Sequence, residues 1–177
     1  MKENQNLLAK QYINSKKIEN IPVFVLNQSH SDAIVQHFMA LSSENKRMRF
    51  GYPASFHSLQ QYVSRINFEN GECLGFLDDD NQIRGVSHVS RGQKEYVAEL
   101  GLSVNEEYQG KGIGFALLIY SAHWAKHKGY DFFNIECLAH NTKITNWVKR
   151  AGFPIQRIGF ETLAVFPTIA GPLPQVL

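Results

Sequence analysis

The chain has 177 residues, 44% of them hydrophobic and 19% charged, with 18 basic and 16 acidic residues giving a net charge of +2. These are ordinary globular values, and a domain of this length buries roughly two-thirds of its unfolded surface without needing staples. The charge balance offers no footprint for nucleic acid or a membrane surface, no apolar run approaches the ~20 residues of a membrane span, and the two cysteines, Cys73 and Cys137, have no metal-ligand spacing.

The first twenty residues are rich in Lys, Asn and Gln and lack the apolar core of a signal peptide. We read 1–20 as a polar arm and 21–177 as a single domain. The expected setting is the cytoplasm, as a monomer or homodimer. Ile21 to Leu26 predicts a strand. Ser31-Asp32 then caps a helix through Ile34, Val35, Phe38 and Leu41. Ser42 to Ser55 reads as a loop carrying Arg47, Arg49, Phe50 and Tyr52. Leu59 to Ile66 follows as a second helix, with Tyr62, Val63 and Ile66 at helical spacing.

The period then shortens. Glu72 to Leu77 and Ile83 to Val89 form a hairpin around Asp78-Asp79-Asp80-Asn81, residues that favour tight turns. Tyr96 to Val104 is a further strand. Gly112 to His127 is helical, with Leu117, Tyr120, Ser121 and Trp124 on one face and Gly129 as its stop. Asp131 to Leu138 is a strand with Phe133, Ile135 and Cys137 on its apolar face. Asn141 to Ala151 is the last helix, Phe153 to Phe166 holds one or two strands, and the tail from Pro167 is irregular. The fold class is α/β: a hairpin gives antiparallel neighbours, a strand–helix–strand unit gives a parallel pair, and helices cover both faces of a mixed sheet.

The segment with the most chemistry is Gln109-Gly110-Lys111-Gly112-Ile113-Gly114, between a strand and a helix. Glycines there let backbone approach a ligand, and the first turn of the helix points its N–H groups and positive dipole end into the loop. That is a site for a pyrophosphate. It is not a nucleotide P-loop, because Lys111 is followed by Gly112 and no glycine stands at the earlier required position. It is not a dinucleotide fingerprint either, because position 115 is Phe115.

These residues resemble the GNAT superfamily of N-acetyltransferases. Gln109, Gly112 and Gly114 match that family's Q/R-x-x-G-x-G/A signature, Val104 and Tyr108 match its upstream positions, and Asn141 followed by Gly152-Phe153 matches its usual downstream spacing. The resemblance implies a mostly antiparallel sheet with a splayed parallel pair of strands. It implies acetyl-CoA as cosubstrate and no metal. Leu102, Ser103 and Val104 would line the acyl and pantetheine groups by backbone hydrogen bonds, Gln109, Gly110, Lys111, Gly112, Ile113 and Gly114 would cradle the pyrophosphate, and Asn141 would bond the pantetheine arm while also capping its helix.

The implied reaction is attack of a primary amine on the thioester, with the acceptor a small molecule or a protein. Glu99, on the strand leading to the loop, is the candidate base. The backbone N–H of Leu102 or Val104, near a bulge, is the candidate oxyanion donor. Many members place a tyrosine acid seven residues after the Asn. Here that position is Val148, so either no acid is needed or a group such as His140 serves; Cys137 reads as core. Arg47 and Arg49 together suit a carboxylate or phosphate on the acceptor. The competing readings are a non-catalytic acyl-CoA sensor and a nucleotide-binding α/β domain.

Overall fold

The computed structural model describes residues 20–138, 141–150, 155–158, 161–168, 170–171 and 173–176. Their elements in chain order are β1 (Phe24–Val25), α1 (Ser31–Ala40), α2 (Ser43–Phe50), α3 (Phe56–Ser64), β2 (Cys73–Leu77), β3 (Ile83–Arg91), β4 (Val97–Val104), α4 (Ile113–His127), β5 (Phe132–Leu138), α5 (Thr142–Arg150), β6 (Ile155–Ile158), β7 (Glu161–Pro167) and β8 (Gln175–Val176). The strands form one sheet in the order β6-β7-β5-β4-β3-β2-β1-β8. It is mixed: β4–β5 and β1–β8 are parallel, and the other pairs are antiparallel.

Helices cover both faces. On one face Ile34, Val35 and Phe38 of α1 and Leu59 and Val63 of α3 bury against Ile83 and Val86 of β3. On the other, α4 packs on Val89, Ala98, Leu100, Phe133 and Ile135. A one-faced α4 was expected, but nearly every side of it is buried, from Ile113 to Ala125. Its sequence is apolar almost all round, which marks a helix enclosed by the fold. Small residues, Ala116, Ala122 and Ala125, allow the close approach, and Ser87 on β3 satisfies the buried hydroxyl of Ser121 at 2.9 Å.

Several local expectations shift. Ser42 to Ser55 is not a plain loop: α2 runs through it, with the Ser42 side chain accepting from Asn45 N–H and Gly51 closing it at φ +79°. Its polar sequence gives no apolar period to read. The cap expected at Ser31-Asp32 lies upstream, where Asn27 and His30 form a capping box on a short 3-10 turn that leads directly into α1. The hairpin turn is as read, with Asp78 Oδ1 accepting from Asp80 and Gln82 N–H and Asn81 at φ +59°. The tail contributes β8 by pairing with β1. Gly152, Phe153 and His140 lie outside the described residues, and α5 is described from Thr142 to Arg150. No described helix is long and apolar enough to cross a membrane.

Candidate active site

The site is organised by a fork in the sheet. β4 and β5 pair only at Val97↔Phe132, Ala98↔Phe133 and Glu99↔Asn134. Beyond that point β4 runs on to Val104 beside β3, β5 runs on to Leu138 beside β7, and no further β4–β5 pair follows among the described residues. The two strands part, leaving a wedge whose β4 side carries unpaired backbone.

Which groups face the wedge follows from the register. Gly92 N–H bonds Val97 carbonyl and Asn105 N–H bonds Arg84 carbonyl, so the odd-numbered residues of β4 exchange hydrogen bonds with β3. The even-numbered residues therefore turn their N–H and C=O groups the other way. Leu102 and Val104, the expected oxyanion donors, face the wedge. Ser103 does not: its backbone belongs to the β3 ladder, and its buried hydroxyl bonds His37 Nε2 at 2.9 Å. The expectation that Ser103 lines the pantetheine beside its neighbours is therefore corrected. The bulge expected in this strand is also absent; the β3–β4 register runs unbroken, and the shift lies between Phe76 and Leu77 in β2.

The glycine loop sits at the wide end of the fork. Gly110 has φ +76° and Gly112 φ +90°, conformations that favour glycine. α4 begins at Gly112 with no side-chain cap, and its first internal bond is Ala116 N–H to Gly112 carbonyl at 2.9 Å. The N–H groups of Ile113 and Gly114 ahead of it have no carbonyl in the helix to bond. A Cβ at Gly110 would meet nothing within 4 Å, so the surface is open there. An uncapped helix start behind an open, left-handed glycine turn fits a pyrophosphate.

Neighbouring side chains hold the loop in place. Gln109 spans the mouth of the fork: its Nε2 donates to Val104 carbonyl at 2.9 Å, and its Oε1 accepts from Lys143 on α5. Its amide is thus a brace, and only its backbone is left for a ligand. Tyr108 donates to Asp78 Oδ2 at 3.0 Å, and the same oxygen accepts Arg84 Nε at 2.6 Å. The hydrogen bond from Arg84, helped by those from Gln82 and Tyr108, pulls the Asp78 carboxyl down to about 2. Lys111 lies over the Tyr108 ring at 4.6 Å. Glu106 ties the loop to α2 by accepting from Ser42 N–H and Asn45 Nδ2; burial works against its charge, but these bonds prevail and hold it at about 2. Asn141 caps α5, its Oδ1 accepting Ile144 N–H at 3.3 Å.

A cavity of about 290 Å³ lies at the narrow end. Its floor is a contiguous patch of sheet: Ser90, Glu99 and Asn134 stand side by side on β3, β4 and β5, with His88 and Gly101 in the next row. Its roof is the end of α2, from Met48 to Gly51, and Tyr62 of α3. Leu100 and Cys137 line it where the strands part. Cys137 is buried, which pushes its thiol up to about 11 and keeps it neutral.

Two side chains here were not singled out from sequence. Tyr62 and His88 form a chain with Arg49: Arg49 Nη2 donates to Tyr62 Oη at 2.6 Å, and Tyr62 is 2.7 Å from His88 Nδ1. Burial first, and the Arg49 charge second, lower His88 to about 4, so the ring is neutral. Tyr62 then donates to Nδ1, and the Nε2 proton points towards Glu72 Oε2, 3.8 Å away. Arg47, expected to act with Arg49, is exposed and outside the cavity, so Arg49 enters alone.

The acetyltransferase (GNAT) family model matches residues 37–153. No curated protein matches the chain. Among solved structures, the GNAT domain of S. lividans PAT aligns with a TM-score of 0.70 at 20% identity, over 82% of this chain and 89% of that one. The yncA protein of Salmonella typhimurium, solved with its cofactor acetyl-CoA, aligns at 0.66 with 14% identity, over 88% and 98%. A GNAT-family acetyltransferase of Staphylococcus aureus Mu50 aligns at 0.67 with 12% identity, over 84% and 99%. At these identities the likeness is one of fold, whereas the family model spans most of the chain and its glycine loop: the protein belongs to the GNAT family of acetyltransferases.

Proposed function

We propose that the protein is an N-acetyltransferase, moving an acetyl group from acetyl-CoA directly to a primary amine. One observation carries this reading. A single strand, β4, runs from a carboxylate in a cavity, Glu99, past a wedge edged by backbone donors, to an anion-binding loop. That order matches an acyl-CoA lying along the fork, with its pyrophosphate at the loop and its thioester at the cavity.

Each residue then has a task. The N–H groups of Ile113 and Gly114, with the Gly110 to Gly112 turn, hold the pyrophosphate, and Lys111 and Lys143 add positive charge nearby. Leu102 and Val104 bond the pantetheine amides across the wedge, and Asn141 reaches the same arm with its Nδ2, since its cap uses Oδ1. An aliphatic amine is mostly protonated at neutral pH, so Glu99 accepts its proton. The amine attacks the thioester carbonyl, and the Leu102 N–H stabilises the oxygen that becomes negative. The sulfur leaves as a thiolate; with a thiol pKa of about 8.5 it needs no protein acid, which accommodates Val148 at the usual tyrosine position.

The test is thiol release from acetyl-CoA by the purified protein with amino acids, aminoglycosides, polyamines and peptides with free N-termini. Amine-dependent release with mass-verified N-acetyl product supports the reading. CoA binding without turnover on any amine would leave the non-catalytic acyl-CoA sensor instead.

A further inference from the structure

We propose that Arg49 is the binding site for a carboxylate on the acceptor, and that the acceptor is a free amino acid with its amine at Glu99. This rests on the acetyltransferase reading for its chemistry, and on separate geometry for its substrate class.

The guanidinium is held as a receptor would be. It lies 4.8 Å from the Phe50 ring centroid, 5.3 Å from Tyr62 and 6.0 Å from Phe38, among three aromatic rings. One Nη2 proton is spent on Tyr62, and the Tyr62 hydroxyl is fixed in turn by His88. Arg49 has no carboxylate partner among the described residues. With no anion paired to it among the described residues, this partly buried cation is in an unfavourable arrangement that a bound anion relieves. The Nε atom is buried and turned from solvent, which leaves the Nη1 and Nη2 end for a bidentate carboxylate.

The spacing sets the size of the acceptor. The guanidinium packs on Gly101, and Gly101 lies two residues along the same strand face from Glu99. That is ~7 Å of strand. An amine within ~3 Å of Glu99 and a carboxylate within ~3 Å of Arg49 must therefore sit only a few bonds apart. The cavity volume of about 290 Å³ is also at the small end for ligand pockets. One guanidinium balances one negative charge, which favours a carboxylate over a phosphate dianion, since exposed Arg47 does not line the cavity.

The experiment compares the twenty free L-amino acids with their carboxamides, in wild type and Arg49→Gln. Binding is measured by calorimetry with CoA present, and thiol release is measured with acetyl-CoA. At least one amino acid should outperform its carboxamide by ~100-fold in kcat/KM, and Arg49→Gln should erase the difference by weakening the acid alone. Arg49→Lys should restore part of it as a point charge. Equal use of acids and amides by the wild type overturns the proposal while acetyl transfer stands. Arg49-dependent binding of acids without thiol release keeps the subsite and removes the transferase reading. Neither binding nor turnover of any acid overturns the proposal. If Arg49→Gln loses CoA binding and so proves misfolded, the wild-type ratio of acid to amide decides alone.

Discussion

The guanidinium of Arg49 occupies the space that a side chain on Gly101 would need: a Cβ there would fall 2.1 Å from Nη2 and 2.2 Å from Cζ. The colliding atoms are the far end of a flexible side chain, so in Gly101→Ala the strand stays and Arg49 swings out. Alanine in a strand is itself favoured over glycine by about 0.5–1 kcal/mol, so the protein should fold. Arg49 then loses its bond to Tyr62 and its place in the cavity. The KM for the acceptor should rise about 10–100-fold, as loss of a charged hydrogen bond predicts, with acetyl-CoA affinity unchanged. A fully active Gly101→Ala enzyme would show that the arginine is not used.

Gly112→Asp tests the anion loop. The new carboxylate would sit at the α4 N-terminus, where it satisfies the helix dipole, so the helix should persist. It would also occupy the place proposed for the pyrophosphate with like charge. The position has φ +90°, and a Cβ would come 3.3 Å from Ile21 Cδ1, so a strain of about 1–2 kcal/mol is expected. Calorimetry should show loss of CoA binding in a folded protein, and Gly112→Asn, with the same size and no charge, should retain part of it. Wild-type CoA affinity in the aspartate variant would sink the loop assignment.

The elements that could be read from sequence are those whose signal is local. The hairpin turn at Asp78 to Asn81, the strand with Phe133, Ile135 and Cys137 inward, and the glycine turn between strand and helix are contiguous patterns, and each takes the backbone form read for it. α2 is hard to read from sequence because its apolar content is slight, although Ser42 and Gly51 bracket it as caps. The roles of Leu102, Ser103 and Val104 could not be separated, because which parity of β4 faces the wedge is decided by its pairing with β3. The cavity was the least legible part. Arg49, Tyr62, His88 and Glu99 come from two helices and two strands, and nothing in their spacing records that the sheet fork and α2 bring them together.

Glu99→Gln separates the proposed base from the binding machinery. The amide keeps the size of the side chain and its place beside Ser90 and Asn134, but it cannot take a proton. A general base contributes about 10²–10⁴-fold, so kcat/KM should fall by that order while acetyl-CoA affinity holds. With the carboxylate gone, the rate should follow only the deprotonation of the acceptor amine itself, so the acidic limb should shift towards higher pH. An unchanged limb would assign the proton transfer to another group.

His37 predicts how the fold responds to acid. Its Nδ1 is 2.8 Å from Asn105 Oδ1 and its Nε2 2.9 Å from Ser103 Oγ. An amide oxygen only accepts, so Nδ1 carries the proton and Nε2 accepts from Ser103; both nitrogens of a neutral ring are satisfied. Burial is the main influence and lowers its pKa from 6.5 to about 4, against the opposing pull of Asn105. Between those values the unfolded chain binds a proton that the native chain refuses, so stability rises with pH in that window. Above 6.5 the residue adds no pH dependence. As pH falls from 6.5 to 4 it removes roughly 3 kcal/mol, and below 4 it adds no further slope. His88, also near 4, acts in the same sense. Asp78 and Glu106, held near 2, lose their contributions only as pH falls past their unfolded values of 3.8 and 4.5. Urea midpoints should therefore drop from pH 6.5 downward, before the carboxylates titrate. In His37→Gln, which cannot titrate, the drop should be clearly shallower even though the variant starts from a lower midpoint. A variant with the wild-type slope would mean that the proton uptake on unfolding comes from elsewhere.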